Sequence, residues 1–321
     1  MDISIIISLF NEEESLSELV KWITKTFDNS EVLKNKEYEI VMINDGSTDS
    51  SWKIIEDLSK QYTQVKGVCF RRNYGKSAAL QVGFQMALGD IVFTMDADLQ
   101  DDPDELPGLY KMMTEEGYDI VSGWKKKRHD NTFAKNIPSK IYNFTARRVT
   151  KLKLHDMNCG LKAYRNEVVK NIEVYGDMHR YIPYIAKNAG FSKIGEKVIL
   201  HHKRKYGTSK FGMDRFVNGF LDLLTISFLS KFAKRPMHIF GVWGILSFLS
   251  GFGIAIWIIA AKLIAQSQGL KYRAVTDQPL FYLALVALLI GVLLFLTGFI
   301  AELISRNSNT RNDYQISKTT F

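Results

Sequence analysis

The chain opens on a dense apolar run, Ile3–Phe10, broken only by serines and followed at once by the polar cluster Asn11-Glu12-Glu13-Glu14. Short β-rich runs recur at Tyr38–Asn44, Val65–Arg71, Asp90–Met95 and Asp119–Ser122. Between them the apolar positions take helical spacing: from the acidic cluster onward, up to about Tyr62, from about Lys76 to Leu88, and over Pro103–Glu116. Strands alternating with helices predict an α/β fold with a mostly parallel sheet covered on both faces. Ligands of such sheets bind beyond the carboxyl ends of the strands. Asp45 follows one of these runs, and Asp96 and Asp98 end another.

The pattern changes in the last third. Ile239–Ala261 and Leu280–Ala301 contain no charged residue. At about 1.5 Å per residue each spans roughly 33 Å as a helix, enough for the hydrocarbon core of a bilayer. They read as a transmembrane hairpin joined by Lys262–Pro279. Lys231, Lys234 and Arg235 precede the first span, and Arg306, Arg311 and Lys318 follow the second, which places both flanks in the cytoplasm. Residues 1–13 carry Asp2 and no basic region ahead of a short apolar run, so no signal peptide is expected. Two further stretches suit a membrane surface. Asn131–Leu154 holds Lys135, Lys140, Arg147, Arg148, Lys151 and Lys153 and no acid; Phe211–Phe232 carries an apolar stripe that includes Met213, Phe216, Phe220, Leu224 and Phe228. The expected organisation is an α/β domain over 1–210, an interface helix over 211–237, two transmembrane helices over 238–303 and a cytoplasmic tail over 304–321. Gly241/Gly244 and Gly251/Gly253 space small residues for close helix contact, so a homo-oligomer is one use for them.

Of 321 residues 46% are hydrophobic and 24% charged, which excludes a disordered chain. Two cysteines, Cys69 and Cys159, exclude a disulfide framework and a cysteine-rich zinc site. The net charge of +8 favours an anionic partner: nucleic acid, a phosphorylated substrate or an acidic membrane. Many of the basic residues adjoin the membrane segments, which argues against nucleic acid.

The chemistry centres on Asp96-Ala97-Asp98, with Gln100 close behind. Two carboxylates and an amide oxygen at a strand end suit Mg²⁺ or Mn²⁺ on a diphosphate. The segment is no EF-hand, because Asp101 and Pro107 stand at its glycine and glutamate positions. Gly75-Lys76-Ser77 is no P-loop, because the first glycine it needs is Phe70. Asn44-Asp45-Gly46-Ser47 offers an acid to a base or ribose, or caps a helix. Arg204-Lys205-Tyr206-Gly207-Thr208-Ser209-Lys210 combines cations, a turn and hydroxyls fit for phosphate. His155, His201 and His202 match no zinc spacing.

In this order the motifs resemble glycosyltransferase family 2, and within it the polyprenyl-phosphate sugar synthases, over about residues 3–211, with the two-span hairpin covering the rest. Ser8-Leu9-Phe10-Asn11-Glu12 resembles the opening nucleotide motif, with Ser8 for its proline and Phe10 for its tyrosine. The resemblance implies a GT-A (Rossmann-like) fold and transfer with inversion. It implies nucleotide contacts from Glu12, Asp45, Lys76 and Asp96, and metal ligation by Asp96, Asp98 and Gln100. It places Lys125, Arg128, Lys135, Ser139, Arg204, Ser209 and Lys210 on phosphate and acceptor, and Asp156, with Asp98, at the reacting sugar. The partners implied are a nucleotide-sugar, a polyprenyl phosphate (undecaprenyl phosphate ahead of dolichyl phosphate) and the bilayer. UDP-glucose leads as donor and GDP-mannose is next. A processive polysaccharide synthase fits less well. Asp177-Met178-His179-Arg180-Tyr181 lacks the Gln and Trp of its Gln-x-x-Arg-Trp motif, and two spans are too few for a polymer channel.

Overall fold

The computed structural model describes residues 1–126, 147–148, 150–206, 236–271 and 273–306. Two compact units are present, Met1–Leu224 and Thr225–Phe321. The interface stretch 211–232, most of 131–154, and the candidate residues Arg128, Lys135, Ser139, Ser209 and Lys210 lie outside the described residues.

In the first unit the expected alternation is met: β1 (Ile3–Leu9), α1 (Leu16–Asn29), β2 (Tyr38–Asn44), α2 (Ser51–Gln61), β3 (Val65–Cys69), α3 (Lys76–Met86), β4 (Ile91–Asp96), a 3₁₀ turn (Pro103–Glu105), α4 (Leu106–Glu115) and β5 (Ile120–Trp124). The apolar runs become strands because they are buried on both faces, as central parallel strands must be. Every residue of β1 except Ser8 is buried. α1 buries Leu16, Leu19, Val20, Ile23 and Phe27, a stripe at helical spacing that packs with the sheet residues in one core. α3 stops at Met86, short of Leu88, because after Ala87 N, which still donates to Gly83 O, the next two N–H groups leave the helix. Leu88 N donates to Glu39 Oε1 (2.8 Å) and Gly89 N to Ser4 Oγ (2.8 Å).

The sheet has seven strands in the order β3-β2-β1-β4-β6-β5-β7. β1 pairs in parallel with β2 and with β4, and β2 with β3. The order therefore turns outward in both directions from β1, a switch point whose carboxyl-end crevice is the usual ligand position. Two strands were not legible in advance. β6 (Lys162–Arg165) runs antiparallel between β4 and β5, and β7 (Ile194–Val198) adds in parallel to β5. Between them lie two short helices, α5 (Asn166–Lys170) and α6 (Ile182–Asn188), and a 3₁₀ turn, Met178–Tyr181.

The second unit is a helical hairpin. α7 (Met237–Ser267) and α8 (Pro279–Arg306) are each long and apolar enough to cross a membrane. Only 17% of each apolar window is buried, so neither is the core helix of a soluble domain. Trp243, Trp257, Leu293 and Phe299 stand exposed on them. α7 continues past Ala261 through Lys262, which shortens the connection expected from the charge pattern. The glycines are used within the hairpin. A Cβ at Gly244 would lie 2.8 Å from Gly291 O, and one at Gly251 would lie 2.6 Å from Ala284 O. Nothing lies within 4 Å of such an atom at Gly253. Ser247 Oγ donates to Ala287 O at 2.8 Å.

Candidate active site

The carboxyl ends of β2, β1 and β4 lie side by side. In register, Leu9 sits beside Asn44, and Ser8 beside Asp96. The loops leaving these ends are laced together. Asn11 N donates to Ser47 Oγ (2.8 Å), Thr48 N to Asn11 Oδ1 (2.8 Å) and Glu12 N to Ser51 Oγ (3.0 Å). Asp45, nearly fully buried, accepts Tyr74 N at 2.7 Å and Gly75 N at 2.9 Å, one on each carboxylate oxygen. Burial raises its pKa against those two bonds. In this state its carboxylate holds the 72–75 loop in place. Gly46 has φ +70°, and a Cβ there would lie 2.3 Å from the Arg72 carbonyl carbon, so only glycine lets the two loops meet.

After β4 the chain turns sharply at Leu99, a non-glycine residue at φ +59°. The turn folds Gln100 N back onto Asp98 Oδ1 (3.2 Å). Each acid in this segment faces a cation or an imidazole. Asp96 pairs with Lys76 at the start of α3. Asp98 Oδ2 lies 2.5 Å from Arg204 Nη2, and Arg204 Nη1 lies 3.7 Å from Glu12 Oε1. Asp101, with no exposed side-chain surface, lies 2.7 Å from Lys125 Nζ. Asp102 Oδ2 meets His202 Nε2 at 2.8 Å. The structure thus brings Glu12, Asp98 and Arg204 together, and Asp96 with Lys76. It sets Lys125 in a buried pair with Asp101.

The charges in this cluster shift one another. Burial pushes the Asp96 carboxyl up, but Lys76 and then Lys125 hold it well below the ordinary range. Asp98 moves the other way: burial and the Asp96 charge raise it, against Arg204. Burial pulls the Lys125 ammonium down, yet Asp101 beside it raises it far above the usual lysine value. Lys162 on β6 is nearly fully buried, donates to Cys159 O, and has its pKa lowered by burial.

Asp156 is 2% exposed and accepts Asn158 N at 3.1 Å. Its own N–H goes to Glu196 Oε1 (3.0 Å), which also takes His155 N (2.8 Å), while Glu196 Oε2 meets His155 Nδ1 at 2.7 Å. The His155 ring stacks on Trp124 with centroids 4.1 Å apart. Glu196, Asp101 and Lys162 were missed in the sequence, where each is one charged residue with no motif. Gly160 closes the group. A Cβ there would lie 2.5 Å from Asp96 Oδ2 and 3.0 Å from Asp101 Oδ2.

Among the described residues no three His, Cys, Asp or Glu side chains converge as a metal cage. The donors expected from the sequence, Asp96, Asp98 and Gln100, are two carboxylates and one amide. They fit a hard, partly hydrated divalent cation, which takes one or two protein carboxylates and completes its shell with water and phosphate oxygens. The Gln100 amide nitrogen lies 3.4 Å from His202 O, which leaves the amide oxygen for a cation.

A family model described as "Glycosyl transferase family 2" matches residues 4–173. The dodecaprenyl-phosphate galacturonate synthase of Rhizobium johnstonii is 33% identical over 95% of this chain and 88% of that protein. The undecaprenyl-phosphate 4-deoxy-4-formamido-L-arabinose transferase of Proteus mirabilis is 32% identical over 96% of this chain and 89% of that protein. Among solved structures, glucosyl-3-phosphoglycerate synthase from Mycobacterium tuberculosis, crystallised with Mn²⁺, UDP-glucose and glycerol 3-phosphate, superposes with a TM-score of 0.52. It is 17% identical, over 71% of this chain and 79% of that one, a likeness of fold.

Proposed function

The chain belongs to glycosyltransferase family 2, and from that premise we propose that it transfers a sugar from a nucleotide-linked donor to a polyprenyl phosphate at the cytoplasmic face of a membrane. The observation that carries the reading is the alternation of acids and cations at the ends of β1 and β4: Lys76 on Asp96, and Arg204 between Asp98 and Glu12. In this state the charges neutralise one another. Binding a nucleoside diphosphate is then an exchange of partners, with Lys76 and Arg204 passing from carboxylate to phosphate. Asp96, Asp98 and Gln100 are left to hold Mg²⁺ or Mn²⁺, which when bound neutralises charge on the departing diphosphate.

The acceptor needs little activation. A phosphate monoester with a second pKa of about 6 is largely a dianion at neutral pH. One of its oxygens attacks the anomeric carbon, the bond to the donor diphosphate breaks, and the electron pair leaves with the nucleoside diphosphate. The obstacle is the approach of two anions, which lysine and arginine side chains screen. Asp156, held at its backbone by Glu196, orients the sugar or the acceptor. Two apolar helices keep the enzyme where its lipid acceptor is confined. Both termini are assigned to the cytoplasm from the basic flanks of the hairpin.

UDP-glucose is the donor favoured by the sequence resemblance. The relatives are named for galacturonate and for a formamido-arabinose, so acidic and amino sugars stand beside it. The reading is tested by changing the acceptor. With undecaprenyl phosphate present, purified protein should consume one nucleotide-sugar of a panel containing these classes and GDP-mannose. A water-soluble phosphomonoester should not replace the lipid. Equal use of the soluble acceptor would contradict the assignment.

A further inference from the structure

Arg180 lies on the 3₁₀ turn Met178–Tyr181, is 7% exposed, and its Nε has no hydrogen-bond partner. Among the described residues no carboxylate pairs with it. The acids of the site are engaged elsewhere: Asp96 by Lys76, Asp98 by Arg204 and Asp101 by Lys125. The turn is docked on the first turn of α3. His179 N donates to Ser77 Oγ at 3.1 Å, and the His179 ring nitrogen Nδ1 meets the same oxygen at 3.1 Å. Ser77 directly follows Lys76, so the turn carrying Arg180 is anchored at the end of α3 that reaches Asp96.

A buried charge without a counter-charge is among the costliest features a fold can keep. Lysine can escape by losing a proton, and burial shifts Lys162 in that direction. A guanidinium stays charged throughout the accessible pH range and cannot escape in that way. Among the described residues nothing supplies its counter-charge, and an anionic ligand would. The planar fork matches two oxygens of one phosphate. We infer that Arg180 is an oxyanion-binding residue that takes a phosphate group of a substrate. The inference rests on the transferase reading, whose donor and acceptor both bring phosphate to this site.

The test compares wild type, Arg180→Met and Arg180→Lys in detergent, by thermal melting and by equilibrium binding. One probe is UDP with Mn²⁺ and the other is undecaprenyl monophosphate. Without ligand, Arg180→Met should melt no lower than wild type, because methionine fills the same space without a stranded charge. It should lose at least about tenfold in affinity for one probe, equal to roughly 1.4 kcal/mol. Arg180→Lys should fall between the two, having the charge but not the fork. Loss for UDP assigns Arg180 to the donor diphosphate, and loss for the lipid assigns it to the acceptor. Wild-type affinity of Arg180→Met for both probes would overturn the inference. So would a ligand-free melting point well below wild type, since that means a partner within the chain. Failure of wild type to make a lipid-linked sugar would instead count against the transferase reading, because the Arg180 comparison needs binding alone.

Discussion

Glu196 holds Asp156 by its backbone: one carboxylate oxygen of Glu196 accepts Asp156 N at 3.0 Å and His155 N at 2.8 Å. The other oxygen takes the His155 ring, which stacks on Trp124. The acid expected at the reacting sugar is therefore fixed from β7, a strand far away in sequence. Glu196→Gln removes the charge that strengthens these bonds, worth about 1.5–3 kcal/mol for hydrogen bonds to a charged group. The expected result is a fall in kcat of about tenfold or more with the donor KM changed by less than about threefold. Steady-state kinetics at saturating lipid decides it. A change confined to KM would assign Glu196 to binding instead.

Gly160 carries no side chain because Asp96 and Asp101 occupy that space. The atoms a Cβ would meet belong to carboxylates held in ion pairs with Lys76 and Lys125, which give way only at a cost to those pairs. Gly160→Ala should therefore melt several degrees below wild type. Its transfer rate should fall by about tenfold or more, because Asp96 is pushed off its position. Melting and initial rates on the same preparation check both halves.

Asp98 pairs with Arg204 and is a proposed ligand of the cation. Asp98→Asn should lower kcat/KM by about a hundredfold or more, the scale of a lost electrostatic contact in a transition state. The residual rate should no longer respond to added Mn²⁺. Wild type should lose activity in EDTA and regain it with excess Mn²⁺. Normal, metal-responsive turnover in Asp98→Asn would remove Asp98 from the metal site.

Acid stability gives a test away from the active site. Buried Glu39 accepts Ser4 Oγ (2.6 Å), Lys66 Nζ (2.7 Å) and Leu88 N (2.8 Å) at the amino end of the sheet. Burial pushes its pKa up, but the three hydrogen bonds together outweigh burial and leave it below the usual glutamate value. A carboxyl whose pKa is lower folded than unfolded adds stability above its ordinary pKa of about 4.3, and loses that stability as the pH falls through the folded value. Glu39→Gln should melt several degrees below wild type at pH 7, and the gap should close below about pH 4. A gap independent of pH would show that packing, not ionisation, makes the difference.

Which parts of this were legible follows from what sequence encodes locally. The positions of Asp45, Asp96 and Asp98 were readable because each apolar run announces a strand and the next polar cluster announces its end. The hairpin was readable because an uncharged segment of that length has few other uses. β6 and β7 were not, because each is only a few residues long and is made by partners distant in the chain. Burial was also hidden. Lys125 reads as a phosphate-facing cation, yet it lies paired with Asp101. Asp45 reads as a base contact, yet its oxygens hold Tyr74 and Gly75. Arg180 carried no sign of its burial. Such contacts depend on which loops the sheet brings together.

The most direct measurement is transfer by detergent-purified protein given labelled nucleotide-sugars one at a time, with undecaprenyl phosphate and Mn²⁺, each repeated in EDTA. The account predicts that one donor yields a product that extracts into organic solvent, releases its sugar in mild acid, and is absent in EDTA. No lipid-linked product from any donor, by a protein that still binds nucleotide, would contradict it, as would label passing into a polymer.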